Sequence, residues 1–319
     1  MSFFIDRFAY LNVCKVHENI ILAYSTVKSV RALQSAAGER VSAAEVRSWR
    51  STLFSKEQER QRSLYPRIEK IEVTMQGAGV QGTLLVMNKG LSTPYSCSRH
   101  LTDWHVSSAA LALVDGEPWH LHRPLTRSCS LTLLTFKDAN PQLPNQAYWR
   151  SCAALLGQVL EGAFKEEYNV ELLRIPEVPG TEFKFCLPNI EHKEVTYTYC
   201  ALRINLMRIT NLMINLTNEI KKIINIHRKE AIFANIVLGF FFLVCKQEEV
   251  EEKAAQSPNG TVSLYRCGHH VVLAGGPLVG RTGLCSQYEV TALHTVGEGP
   301  WGLQRRAQGL SLPVNLTVL

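Results

Sequence analysis

The sequence predicts an α+β fold made of two successive units, the second one interrupted. Three observations predict it. Ile71, Val73 and Met75 alternate with Glu72 and Thr74, the period of a half-buried strand. Cys152, Leu155, Leu156, Val159, Leu160, Ala163 and Phe164 fall on one face of a helix. From 187 to 246 the texture changes: no Gly or Pro lies between Pro188 and Gly239, and Ile, Asn, Lys, Leu and Phe dominate.

A chain of 319 residues is long enough for two ordinary domains. Hydrophobic residues at 46% against 19% charged place it with globular chains. A net charge of +6 fits a polyanionic partner, and a slightly basic globular protein equally well. The nine cysteines form no C-x-x-C pair and are widely spaced, which argues against a disulfide framework or a four-cysteine zinc site and for a reducing compartment. Met1 to Val30 carries Asp6 and Glu18 and lacks a secretory signal. Ser25 to Ala37, with Lys28 and Arg31, has the character of a mitochondrial presequence but is not at the terminus.

In order, residues 43 to 63 place Val46, Trp49, Leu53 and Phe54 at helical spacing among charged residues, and Pro66 ends the run. This reads as a short charged helix with one packed stripe, or one laid on a partner. Gly77, Gly79 and Gly82 mark a turn, and Gly82 to Met87 is the return strand of a hairpin. Thr93-Pro94-Tyr95-Ser96 opens a short helix through Trp104. Ala109 to Val114 is a strand, Asp115-Gly116 a hairpin turn, and Leu131 to Phe136 a last strand. One helix covering such a sheet is a β-grasp arrangement.

The second unit begins with a helix from about Gln146 to Tyr168 and a strand from Asn169 to Ile175. Ile232 to Cys245 is almost wholly apolar but shorter than the roughly 20 residues of a membrane span. A buried helix is the expectation there, and no membrane span. Val262 to Tyr265 and Gln287 to Leu293 read as strands, and Gly275-Gly276-Pro277 as a turn.

Residues 66 to 138 resemble the TGS domain found at the N-terminus of threonyl-tRNA synthetases and in some GTPases. Ile71-Glu72-Val73, Thr93-Pro94-Tyr95-Ser96, His100-Leu101 and Ala112 through Trp119 carry the resemblance. The next unit resembles the domain of those synthetases that hydrolyses mischarged tRNA. That family carries H-x-x-x-H on the helix, two side chains one turn apart. Here those positions fall on Arg150 and Ala154. The family's later Cys and His fall on Ala274 and Leu278. Ala and Leu cannot bind metal, move protons or orient water, and Arg150 stays protonated. The resemblance therefore implies a fold kept for binding, with no enzymatic activity, cofactor, metal or small-molecule substrate. The aminoacylation domain of the synthetases has no counterpart before Leu319.

A narrower resemblance is to the threonyl-tRNA-synthetase-like protein family of the mitochondrial large ribosomal subunit. It rests on Ser92-Thr93-Pro94-Tyr95-Ser96-Cys97, Leu134-Thr135-Phe136-Lys137-Asp138 and Ala147-Tyr148-Trp149-Arg150-Ser151-Cys152-Ala153. It implies a matrix protein of the mitochondrial ribosome, with rRNA and other large-subunit proteins as partners. The alternatives are a tRNA-binding regulatory module and a free-standing tRNA-editing hydrolase. The domains expected are an N-terminal extension (1–65), a TGS-like domain (66–140) and a degenerate editing-like domain (141–319). Within the last, 187–246 departs from the family and reads like translated AT-rich sequence, as a gene-model artefact would. Residues 1 to 25 share that suspicion.

Arg pairs with phosphate and aromatic rings stack on unpaired bases. Basic and aromatic residues cluster at Trp104-His105, at Trp119 to Arg123, at Trp149-Arg150 and at Arg305-Arg306 near Trp301. The candidate RNA-binding residues are Arg123, Arg150, Arg305 and Arg306. The competing reading is that each Trp is core and each Arg merely solvated. Two further motifs yield no site. Gly275-x-x-x-x-Gly280-Arg281-Thr282 nearly matches a phosphate loop, but Arg replaces the Lys and a strand follows where a helix is needed. Cys267-Gly268-His269-His270 has no second ligand pair at zinc spacing and reads as a strand-end turn.

Overall fold

The computed structural model describes residues 43–77, 79–163, 170–174, 195–201, 209–226, 234–239, 261–299 and 302–314. Helix α1 spans Ala43–Ser63. Strands β1 (Lys70–Gln76) and β2 (Leu84–Asn88) form the expected hairpin. β1 buries Ile71, Val73 and Met75 and exposes the residues between them, so alternation decides which face meets the core.

The single helix expected through Trp104 is two: α2 (Pro94–Ser98) and α3 (Asp103–Ser108). The Thr93 hydroxyl caps α2 by accepting from the Ser96 N–H at 3.2 Å, and Pro94 occupies the first turn, where no N–H is needed. Thr102 is extended, which breaks the run and starts α3. Strands β3 (Leu111–Val114) and β4 (Glu117–Trp119) follow. Asp115 and Gly116 join them with positive φ (51° and 86°), the left-handed pair a two-residue hairpin turn demands. β5 (Cys129–Leu134) runs parallel to β1 and antiparallel to β3. The sheet order is β2-β1-β5-β3-β4. Its buried face closes on Cys97, Leu121 and Leu125.

Helix α4 (Gln142–Ala163) is the spine of a second core. It buries Tyr148, Cys152, Leu155, Leu156, Val159 and Leu160. The remainder of its expected extent, together with Trp301 and residues 1 to 42, lies outside the described residues. β6 (Val170–Arg174), β7 (Val195–Ala201), β11 (Cys285–Gly299) and β12 (Gly302–Pro313) form a sheet of order β11-β12-β7-β6. β8 (Ala234–Gly239), β9 (Thr261–Cys267) and β10 (His270–Leu273) form a smaller sheet of order β10-β9-β8. Helix α5 (Ile209–Ile226) packs on β11 through buried Leu216 and Ile220, and the Thr217 hydroxyl accepts from the Val290 N–H at 2.9 Å.

The apolar run from Ile232 to Cys245 is corrected in its described part. Ala234–Gly239 is strand β8, antiparallel to β9, not a buried helix. A short continuous apolar run fits either element, and pairing with β9 decides it. β7, α5 and β8 all come from the segment 187–246, so its described parts are built into both sheets. Among the described residues, no helix is long and apolar enough to cross a membrane.

Helix α1 is not laid on solvent alone. Its Phe54 is buried and lies under the Arg266 guanidinium, 4.6 Å from the ring centre. Arg47 donates to the Glu161 carbonyl at 2.9 Å, and Arg50 pairs with the Glu161 carboxylate at 2.7 Å. His270 Nδ1 meets the other carboxylate oxygen at 2.7 Å. The last turn of α4 has unpaired carbonyls and a negative end, and cations there satisfy both.

Candidate functional site

The four positions expected to correspond to an editing site come together. Helix α4 places Arg150 and Ala154 one turn apart. The turn after β10 brings Ala274, Gly276 and Leu278 against that face. Ser151 fixes the approach: its hydroxyl donates to the Ala147 carbonyl at 2.7 Å and accepts the Val279 N–H at 2.9 Å. Ala154, Ala274 and Leu278 are buried in one hydrophobic cluster with Leu155, Cys285 and Tyr288. Arg150 is half-buried at its rim, with its guanidinium against Gly276. A β-carbon on that glycine would stand 2.7 Å from Arg150 Nη1.

Nothing in this cluster can activate water. Cys152 and Cys285 are fully buried with sulfurs 3.7 Å apart. Their mutual hydrogen bond and burial push the Cys285 thiol well above its usual range, so it is not a thiolate. Burial likewise raises the Tyr148 and Tyr288 phenols. Among the described residues, no group of three or more His, Cys, Asp or Glu could hold a metal ion. Cys267 and His270 sit on paired strands joined by Gly268 at φ 58°, and His270 is turned to Glu161. Gly275 to Thr282 leads into a three-residue 3-10 turn (Thr282–Leu284) and then β11, not an α-helix.

The candidate arginines divide. Arg123 and Arg150 each act electrostatically on the buried Tyr265, at the junction of the two cores. Burial raises that phenol, and the two cations oppose the rise. The Arg123 guanidinium also lies over the Trp119 ring, 3.6 Å from its centre, and the Trp119 indole N–H donates to the Arg123 carbonyl at 3.1 Å. His120 and His122 flank this junction. Burial holds His120 well below its ordinary range and His122 down to about 4, so both are neutral imidazoles.

Arg305 and Arg306 are adjacent on β12 and point to opposite faces. Arg305 is 3% exposed, on the face that also buries Ala307 and Ser311. Arg306 is exposed, opposite His294 on β11 and Thr198 on β7. Of this pair, strand alternation therefore turns Arg306 to solvent and Arg305 into the sheet. Trp104 is 56% exposed beside an open cavity, a feature named in the sequence only as an aromatic next to a histidine. The Arg50–Glu161–His270 cluster was not anticipated at all, since its members are more than 100 residues apart.

No family model matches the chain. Large ribosomal subunit protein mL39 of Drosophila melanogaster is 34% identical over 305 residues, a match covering 94% of this chain and 87% of that protein. The mitochondrial threonine–tRNA ligase of Rattus norvegicus is 29% identical over 226 residues, covering 70% of this chain and 28% of the ligase. The cytoplasmic threonine–tRNA ligase 2 of Homo sapiens is 26% identical over 227 residues, covering 70% of this chain and 26% of the ligase. A match over 94% of the chain is too long to leave out the segment 187–246, so it runs into that segment. Near-complete coverage of both partners, against about a quarter of each ligase, decides between the two similarities: the chain belongs to the family of large ribosomal subunit protein mL39.

Proposed function

We propose that this chain is a structural constituent of the mitochondrial large ribosomal subunit, located in the matrix and contacting rRNA and neighbouring ribosomal proteins. The observation that carries the reading is the match to mL39 at nearly full length in both directions. The apolar filling of Ala154, Ala274 and Leu278 supports it, since it removes the water-activating groups that editing needs. The chain works without catalysis, cofactor or small-molecule substrate.

In this reading residues 66–140 are a TGS-like β-grasp domain, supported by the sheet order β2-β1-β5-β3-β4 with α2 and α3 inserted between β2 and β3. Residues 141–319 are a degenerate editing-like domain, and 1–65 an extension whose helix α1 clamps that domain. Arg306 is the candidate arginine available to a phosphate. Arg123 and Arg150 act at the junction and Arg305 within the sheet.

Depleting the chain in cells tests the proposal. Large-subunit abundance and mitochondrial protein synthesis are expected to fall, with mitochondrial threonine charging unchanged. Normal translation with accumulated mischarged threonine tRNA would instead indicate an editing enzyme.

A further inference from the structure

We propose that the cavity beside Trp104 is a pocket for one unpaired RNA base; this rests on the ribosomal reading above. The cavity holds about 190 Å³ and is lined by Trp104, Ser107, Ser108, Thr135, Phe136 and Lys137. One liquid water takes roughly 30 Å³, so the space suits several waters or one planar ring. Trp104 is 56% exposed. An indole left in water beside a cavity offers a ring face to a base, and stacking needs only a π-face.

The walls are built rather than incidental. The Ser107 and Ser108 hydroxyls both donate to the Trp104 carbonyl, at 3.1 and 2.6 Å, closing the end of α3. Opposite them, Asp138 accepts from the Thr135 N–H at 2.8 Å and the Thr135 hydroxyl at 2.7 Å. Both carboxylate oxygens are thereby committed to the loop. Phe136 is buried behind, edge-on to Tyr148. Arg281 donates to the Ser107 carbonyl and ties α3 to the second core.

Charge selects the occupant. Lys137 is exposed, and among the described residues its ammonium has no ion-pair partner. An unpaired base stacked on Trp104 would bring its own phosphate within reach of a free cation. An apolar protein side chain would fill the cavity and leave Lys137 unused. Double-stranded RNA presents no base face and would not enter.

The test measures binding of the purified full-length chain to a fluorescent single-stranded oligoadenylate and to a duplex RNA of equal length. Trp104→Leu keeps apolar bulk without a stacking face, and Trp104→Phe keeps a ring. The expected result is preference for the single strand, a loss of about tenfold to a hundredfold in Trp104→Leu, and most of the affinity retained in Trp104→Phe. Lys137→Gln is expected to weaken binding and flatten its salt dependence. Equal binding by wild type and Trp104→Leu, equal losses in both Trp104 variants, or preference for duplex would overturn the proposal. So would an ultraviolet cross-link from Trp104 to a protein, rather than a nucleotide, in the intact large subunit. Sedimentation of wild-type chain with the large subunit reads the ribosomal assignment separately, so the pocket can fail while that assignment stands.

Discussion

The Arg150 guanidinium rests against Gly276, its Nη1 2.7 Å from the point a β-carbon on that glycine would occupy. A cation thus stands at the mouth of this cluster, and Ala154, Ala274 and Leu278 fill its floor. Two substitutions should separate mouth from floor. Gly276→Ala meets only the far end of a flexible side chain, so a cost under about 1 kcal/mol is expected. Ala154→His forces an imidazole into a packed core, so about 3 kcal/mol is expected from overpacking and polar burial. Thermal unfolding of the two variants checks the contrast, and neither should gain deacylation of mischarged threonine tRNA.

Glu161 ties α1 to the second core, and its effect should depend on pH. Burial raises its carboxyl pKa, but the His270 hydrogen bond and the charges of His270, Arg50 and Arg47 outweigh that and leave it below the ordinary 4.5. A carboxylate lowered in the fold stabilises above its unfolded pKa, and the contribution is lost as pH falls through the folded value. Glu161→Gln should therefore lower the melting temperature near neutrality, and the gap to wild type should narrow below about pH 4.5. A gap constant with pH would mean the ion pairs contribute nothing.

The histidines at the junction act on a different window. Both folded pKa values are depressed, His122 to about 4, mainly by burial. The unfolded chain takes up protons first, so stability is full above the ordinary 6.5 and declines as pH drops below it. His122→Gln should flatten that decline between pH 7 and 5. Titration by NMR should find the His122 imidazole neutral throughout the same range.

Arg305 and Arg306 should behave as unrelated residues. Arg305→Ala strips a buried side chain and its partner, with an expected cost of about 1–3 kcal/mol. Arg306→Ala should change stability by less than about 0.5 kcal/mol while weakening RNA association and its salt dependence. The reverse pattern would show that the two faces of β12 are misassigned.

That contrast also marks what sequence could convey. Local signals were readable: the alternation in β1, the apolar face of α4, the Thr93-Pro94 start of α2, and the Asp115-Gly116 turn. Each depends on residues a few positions apart. β12 had no recognised strand pattern, so Arg305 and Arg306 looked equivalent until pairing with β11 and β7 gave them faces. The run containing β8 was legible as apolar, but its partner β9 lies across an intervening stretch, and pairing alone distinguishes strand from helix. Arg150, Ala154, Ala274 and Leu278 could be singled out because a motif fixes their spacing. The Trp104 cavity was not, because α3 and the loop after β5 build it together.

The reading proposed above makes this chain part of the mitochondrial large ribosomal subunit. Its most direct test is sucrose-gradient sedimentation of mitochondrial lysate with quantitative mass spectrometry of this chain across the fractions. The expected result is a peak coinciding with the large subunit and persisting at salt that strips loosely bound factors. Recovery of the chain wholly at the top of the gradient, beside intact large subunits, would contradict it.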